Sequence, residues 1–335
     1  MKLGARDSGL GIRDSGWRSR LQPRRRGGSL ALAVAAATLL LSVGASGLQR
    51  PADGAPGLQA RGSTAAQAGA APRRIVSLVP SATEMLFAMG AGPRVAAVSS
   101  YDRFPPEVDR LPRVGALVDP DVERILSLRP DLVVTYASQS DLLAQLERAS
   151  IPAYVYRHGS LADVTAGMRD LGARIGMPAE AGRAAADVER GLAEVRASVA
   201  GRPRPRTLLV IGREPLSLRT ISVSGGFGFL HDLLALAGGD NVFGDVNRES
   251  MMVTTETILA RRPEVIIELH YSDRPSREAE AREREAWKLL PGVPAVRNGR
   301  VLLLYGGEFV VPGPRVVLTA RAFARALRGD VPRRP

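Results

Sequence analysis

Three histidines, thirty-four carboxylates, a glycine-rich turn and no cysteine are the groups from which this 335-residue chain could build a reactive site. His158, His231 and His270 lie far apart and show no metal-ligand spacing, so no metal site is expected. His231 sits in an apolar helical stretch, where packing or capping explains it better than ligation. Gly225-Gly226-Phe227-Gly228 lacks the Lys-Ser/Thr of a phosphate loop and reads as a tight turn before a helix. No serine stands in a nucleophile-elbow pattern, and nothing brings two carboxylates together. These residue types build no active site, and no cofactor is expected. What they offer is binding chemistry. Tyr101, Phe104, Tyr136, Phe227, Met251, Met252 and Phe309 fall in loops at the ends of expected strands, in a chain with only fifteen aromatic residues. Facing aromatics and methionines line an apolar cleft; singly, each could equally anchor its own loop.

Two elements must position those loops. From Pro178 to Ala200 the chain reads as one long helix, with Val188, Leu192, Val195 and Val199 on a single face. Pro178 suits a first turn, and Gly201, Pro203 and Pro205 stop the helix. On either side of it stands the same unit: Asp121–Tyr136 (DVERILSLRPDLVVTY) and Thr254–Leu269 (TTETILARRPEVIIEL). At a constant offset, Glu123, Ile125, Leu126, Arg129 and Pro130 match Glu256, Ile258, Leu259, Arg262 and Pro263. Two ordinary crossovers in one sheet would also produce such a likeness. The reading adopted is an α/β protein with two similar parallel-sheet lobes joined by one long rigid α-helix.

In chain order, strand Ile75–Val79 ends at Pro80, and Ser81 with Glu84 forms a capping box for a helix running to Gly90. Strand Val95–Ser99, the proline-bearing loop from Tyr101, and the first repeat copy follow. Helix 141–149, strand 153–156 and helix 161–175 complete the first lobe. Strands alternating with helices imply parallel sheets covered on both faces. Beyond the long helix come strands 207–211 and 220–223, a helix over 229–237, a loop over 238–253, the second copy, a charged helix over 278–289, strand 301–305 and a closing helix over 315–327. The domain boundaries expected are 73–177 for the first lobe, 178–201 for the joining helix, 202–329 for the second lobe and 330–335 for a tail. In parallel sheets ligands sit beyond the carboxyl ends of the strands, which is where the aromatic loops lie.

The first 72 residues are different in kind. A basic run (Arg18–Arg26), an apolar run (Leu30–Val43) and small residues allowing a cut after Ala45 make residues 1–45 a secretory signal peptide. The apolar run is about 14 residues, short of the ~20 that span a bilayer, although retention as a signal anchor stays open. The absence of cysteine excludes lipidation at the cleavage site, disulfides and thiolate metal sites. Residues 46–72, rich in Ala, Gly, Gln and Pro, read as a disordered leader. The net charge of +12 suggests nucleic acid until it is divided by segment. Residues 73–329 hold thirty-four basic and thirty acidic side chains of alternating sign, a solvated surface and not a phosphate-binding stripe.

Arg74–Gly92 (RIVSLVPSATEMLFAMGAG), Val98–Val108 (VSSYDRFPPEV) and the two repeat copies resemble the periplasmic binding proteins of vitamin B12 and iron-chelate ABC importers, over essentially 74–327. The resemblance implies a monomeric periplasmic protein that catalyses nothing, captures a cobalamin-like or metal-chelate ligand, and partners the permease and ATPase subunits of an importer. It implies that Tyr101 and Tyr136 pack on the ligand, and that Glu123 and Glu256 dock onto permease arginines. Leu117 and Ser250 stand where cobalamin binders are expected to carry tryptophan. Gly307 and Val311 stand at the acidic and basic contacts of the last ligand loop, leaving Glu308 and Phe309 as its anchors. The expected ligand-binding set is therefore Tyr101, Tyr136, Phe227, Met251, Met252, Gly307, Glu308 and Phe309, for cobalamin, another corrinoid, haem or a ferric chelate. A secreted two-lobed α/β transferase is the alternative from a different class; a nucleotide or metal requirement would mark it.

Overall fold

A computed structural model describes residues 71–329. The signal peptide, its cut, the leader up to residue 70 and the tail 330–335 lie outside the described residues. Among the described residues no helix is long and apolar enough to cross a membrane.

The first lobe runs β1 (Ile75–Ser77), α1 (Pro80–Ala88), β2 (Val95–Val98), α2 (Val122–Ser127), β3 (Leu132–Tyr136), α3 (Ser140–Arg148), β4 (Ala153–Tyr156) and α4 (Leu161–Arg174). Its sheet has the order β2-β1-β3-β4 and is parallel throughout. One detail differs from expectation. Pro80 does not merely end a strand but opens α1, Val79 is the N-cap, and no side chain caps the helix. The capping box does not form because the helix already begins at Pro80, which places Ser81 inside the first turn, and the Glu84 carboxylate pairs with an arginine of the other lobe.

Helix α5 (Pro178–Val199) crosses between the lobes, and its 22 residues span roughly 33 Å. Ala181, Ala185, Val188, Leu192 and Val195 are its buried stripe. It is gripped on two sides through glycine. A Cβ on Gly172 of α4 would lie 2.1 Å from the Ala181 methyl, and one on Gly191 would lie 2.7 Å from a Val317 methyl. Only hydrogen fits at these crossings, so the helix is fixed against both lobes.

The second lobe runs β5 (Arg206–Gly212), β6 (Ile221–Ser224), α6 (Phe229–Leu236), β7 (Asp240–Asn241), β8 (Ser250–Val253), α7 (Thr255–Arg261), β9 (Val265–His270), α8 (Arg277–Glu285), α9 (Pro294–Arg297), β10 (Val301–Tyr305) and α10 (Val316–Arg328). The order is β10-β9-β5-β6-β8, with β7 beside β5. β10, β9 and β5 are parallel, as expected, but β6 runs antiparallel to both β5 and β8. Between β5 and β6 lie only residues 213–220, too few for the dozen or more that a parallel crossover needs, so the chain must turn back as a hairpin. The stretch expected as a loop over 238–253 supplies β7 and β8.

Alternation along the strands builds three core layers. Ile75, Leu132 and Val134 of the first sheet and Leu209, Ile211, Val265 and Ile267 of the second face α5 in one continuous core. Val76 and Val133 point to the opposite side of the first sheet, and Leu208, Val210 and Ile266 to that of the second. The repeat copies are equivalent in detail. Asp121 and Thr254 cap α2 and α7 by accepting from the backbone N–H of Arg124 and Thr257. Arg129 and Arg262 then take left-handed backbones, φ 47° and 49°. After the proline, Asp131 accepts from the Arg74 N–H at 2.8 Å, and Glu264 from the Arg206 N–H at 3.0 Å. The side chains of those two strand-start arginines reach back to the Leu128 and Arg261 carbonyls.

Candidate ligand cleft between the lobes

β3 and β4 end on tyrosines, and two residues beyond β4 stands His158. The Tyr136 ring meets Tyr156 edge-on at 6.1 Å and His158 at 6.2 Å, while Tyr156 and His158 stack at 6.4 Å. Burial first, then the neighbouring Tyr156 and Asp102, pushes the Tyr136 phenol well above its ordinary range. Burial likewise pushes Tyr156 up to about 12. Both phenols stay neutral, and the Tyr156 ring, 3% exposed, backs Tyr136 and His158 from beneath.

The second lobe closes on these rings from two directions. On one side the Phe227 ring lies 3.9 Å from where a Cβ of Gly159 would sit, and His158 Nε2 is 3.9 Å from a Glu249 carboxylate oxygen. The Leu161 N–H donates to Asp232 Oδ2 at 2.8 Å nearby. On the other side the Tyr156 hydroxyl donates to the Pro312 carbonyl at 3.1 Å. Arg315 then spans the lobes. Its guanidinium donates to both Glu84 oxygens at 3.0 and 2.5 Å, lies 3.5 Å from Glu308 Oε2, and rests 4.3 Å over the Phe104 ring. Burial raises the Glu84 pKa despite that pairing.

Tyr101 belongs to a braced loop. Asp102 Oδ2 accepts from the Ser99 N–H at 2.9 Å and the Ser99 hydroxyl at 2.6 Å, and the Tyr101 N–H donates to that hydroxyl at 3.2 Å. Arg113 donates to the Ser99 and Asp102 carbonyls. Asp102 is 1% exposed, and burial lifts its carboxyl to about 6 against the Ser99 bonds. The loop therefore holds the Tyr101 ring outward, 39% exposed. In the second lobe His270 and Tyr305 end neighbouring strands in register and stack at 4.5 Å.

Of the residues expected in the site, the fold brings Tyr136 and Phe227 to the interlobe contact and sets Glu308 beside Arg315. Gly307 opens the short turn Gly307–Val310. Phe309, within that turn, is 3% exposed and stacks on Phe323 at 6.3 Å, its ring directed into the core beneath. Met251 also packs into the outer core of the second lobe, while Met252 alternates to the surface of β8. Sequence reading missed Tyr156, His158, Glu84 and Arg315. Tyr156 ends a strand as Tyr136 does, so the same rule applied to β4 would have found it. The Glu84–Arg315 pair is 231 residues apart and left no local signal.

Glu123 and Glu256 are exposed in the first turns of α2 and α7. Both helices end where the next strand begins, so both carboxylates stand at the cleft end of their lobes. The Thr254 hydroxyl and the residue's own N–H lower the Glu256 pKa, as befits a carboxylate at a helix start.

Comparison with known proteins places this geometry. The family model described as periplasmic binding protein matches residues 75–305. A vitamin B12-binding protein of Pectobacterium carotovorum subsp. carotovorum (strain PC1) is 30% identical over 262 residues, 77% of this chain and 89% of that one. The crystal structure of the periplasmic vitamin B12 binding protein of Vibrio cholerae superposes with TM-score 0.65 at 26% identity, over 78% of this chain and 98% of that one. A periplasmic heme-binding protein from Roseiflexus sp. RS-1, in apo form, gives TM-score 0.62 at 28% identity, over 77% and 100%.

Proposed function

The chain belongs to the periplasmic binding protein family, and from that premise we propose that it captures a corrinoid between its lobes and delivers it to an inner-membrane ABC importer. It is a periplasmic, non-catalytic solute-binding protein, and the transferase alternative falls away with that. One observation carries the ligand class. Tyr136 and His158, backed by the buried Tyr156 ring and with Phe227 of the second lobe beside Gly159, offer aromatic faces and edges to a large flat macrocycle. The name of the 30% identical relatives, vitamin B12-binding protein, supports the corrinoid choice.

Delivery rests on Glu123 and Glu256. They are equivalent carboxylates on equivalent helices, and a permease of two-fold symmetry can grip such a pair with like contacts.

Calorimetric titration with cobalamin, cobinamide, haem and a ferric siderophore tests the ligand. The expected outcome is one corrinoid per chain, weakened at least about tenfold (1.4 kcal/mol) by Tyr136→Ala or Tyr101→Ala with the fold intact. Haem is the second reading, favoured by the imidazole of His158 beside the phenol of Tyr136, both able to meet a metal centre. Saturable haem binding with no corrinoid binding would replace the first reading by the second.

A further inference from the structure

At the opposite end of the second lobe from the cleft, where β5, β9 and β10 begin, lies a concavity of about 750 Å³ lined by six arginines: Arg204, Arg206, Arg261, Arg262, Arg297 and Arg300. Register with the first lobe supplies an internal control. Ile75 pairs with Leu132 as Thr207 pairs with Val265, and Val133 pairs with Ala153 as Ile266 pairs with Val301. By that correspondence the same six positions in the first lobe are Pro72, Arg74, Leu128, Arg129, Ala149 and Pro152, with two arginines instead of six. The frame itself needs only the shared pair.

The extra charge is poorly neutralised. Arg204 donates to the Ala235 and Gly239 carbonyls, Arg206 to the Arg261 carbonyl and Arg300 to the Leu327 carbonyl, bonds that fix the guanidinium groups without cancelling their charge. Arg261 is paired with Asp245 at 2.9 Å, Asp240 is 4.0 Å from Arg206, and Glu264 already accepts from the Arg206 backbone. Arg262 and Arg297 are exposed and form no ion pair among the described residues. Capping of helix ends explains the carbonyl-bound arginines and leaves these two without a structural task. Pro203, Pro205 and Pro294 stiffen the rim.

We propose that this basic concavity is a second binding site, independent of the cleft, for a compact anion carrying two or more phosphate groups. Guanidinium forks match phosphate oxygens two at a time, and anchored forks lose little entropy on binding. A recess walled from several segments suits a small anion that enters it better than a flat charged surface.

The probe is tripolyphosphate, titrated into the protein by calorimetry at fixed ionic strength, with orthophosphate alongside. Expected are one tripolyphosphate per chain, an affinity that falls steeply with added salt, and at least a tenfold loss in Arg262→Gln/Arg297→Gln with unchanged melting temperature of the free protein. Arg129→Gln, the first-lobe counterpart, should change nothing. Heat no greater than that of matched chloride, an equal loss in Arg129→Gln, or orthophosphate binding as tightly would each overturn the proposal. So would phosphatidylglycerol vesicles that bind the protein and are not displaced by tripolyphosphate, which would make this face a membrane contact.

Discussion

Helices α2 and α7 begin and end alike, yet the carboxylates buried in the two lobes behave oppositely. In the second lobe Glu268 is 1% exposed, and its pKa is lowered. Burial alone would raise it, but His270 at 3.0 Å, Arg213 at 3.0 Å and the Trp287 indole N–H at 2.7 Å outweigh that cost. In the first lobe Asp102 is equally buried, its Oδ1 has no hydrogen-bond partner among the described residues, and its pKa rises to about 6. Among the described residues Glu84 draws its cation, Arg315, from the other lobe. The frame of the lobes is duplicated, and the polar interior is not. Features with a counterpart in the other lobe suit a two-fold partner, whereas the unduplicated Arg315–Glu84 pair ties the two lobes together.

The largest expected effect would break the symmetric half of that comparison. Glu123→Ala/Glu256→Ala should abolish transport and docking in reconstituted membranes, with ligand affinity and melting temperature nearly unchanged, and each single change should do part of the damage. Full transport by the double variant would remove the docking role. Next comes the asymmetric tie. Arg315→Ala leaves the Glu84 carboxylate buried and unpaired, so stability in urea should fall by about 3–5 kcal/mol, whereas Arg315→Ala/Glu84→Gln should recover part of it. A loss below about 1 kcal/mol would mean that the lobes part and water reaches Glu84 at little cost.

Asp102 sharpens the contrast through pH. Its raised pKa means the folded protein holds the proton more tightly than the unfolded chain does. Its contribution is therefore favourable at acid pH and is lost as pH rises from the ordinary aspartate range to about 6. Asp102→Asn should gain roughly 1–3 kcal/mol relative to the parent between about pH 4 and about pH 7. A difference that does not vary with pH would show that Asp102 has the same pKa in the folded and unfolded chain. The smallest effect compares the repeat copies directly. Asp131 accepts from two backbone N–H groups, of Arg73 and Arg74, and Glu264 from one, of Arg206. Asp131→Ala should cost about 1–2 kcal/mol and Glu264→Ala about half that, read from denaturant midpoints. Equal losses would mean the Arg73 bond is immaterial.

The sequence by itself determined the joining helix, the duplicated unit and the family, since each is written in local terms. A helix face repeats every three or four residues, and Arg-Pro followed by an acid recurs at one offset on both sides of α5. Glu123 and Glu256 were legible for the same reason, being fixed by position within the repeat. Strand ends could be read too, and with them Tyr101 and Tyr136. Only the tertiary structure decided which strand-end side chains face the cleft. Phe309 faces the core because it lies within the short turn Gly307–Val310, a matter of backbone path. Arg315 meets Glu84, Phe104 and Glu308 because α10 and α1 are brought together by α5. The antiparallel β6 and the basic recess at the base of the second lobe are likewise products of assembly. Pairings across hundreds of residues leave no periodicity to read, because their partners are chosen by how the lobes pack.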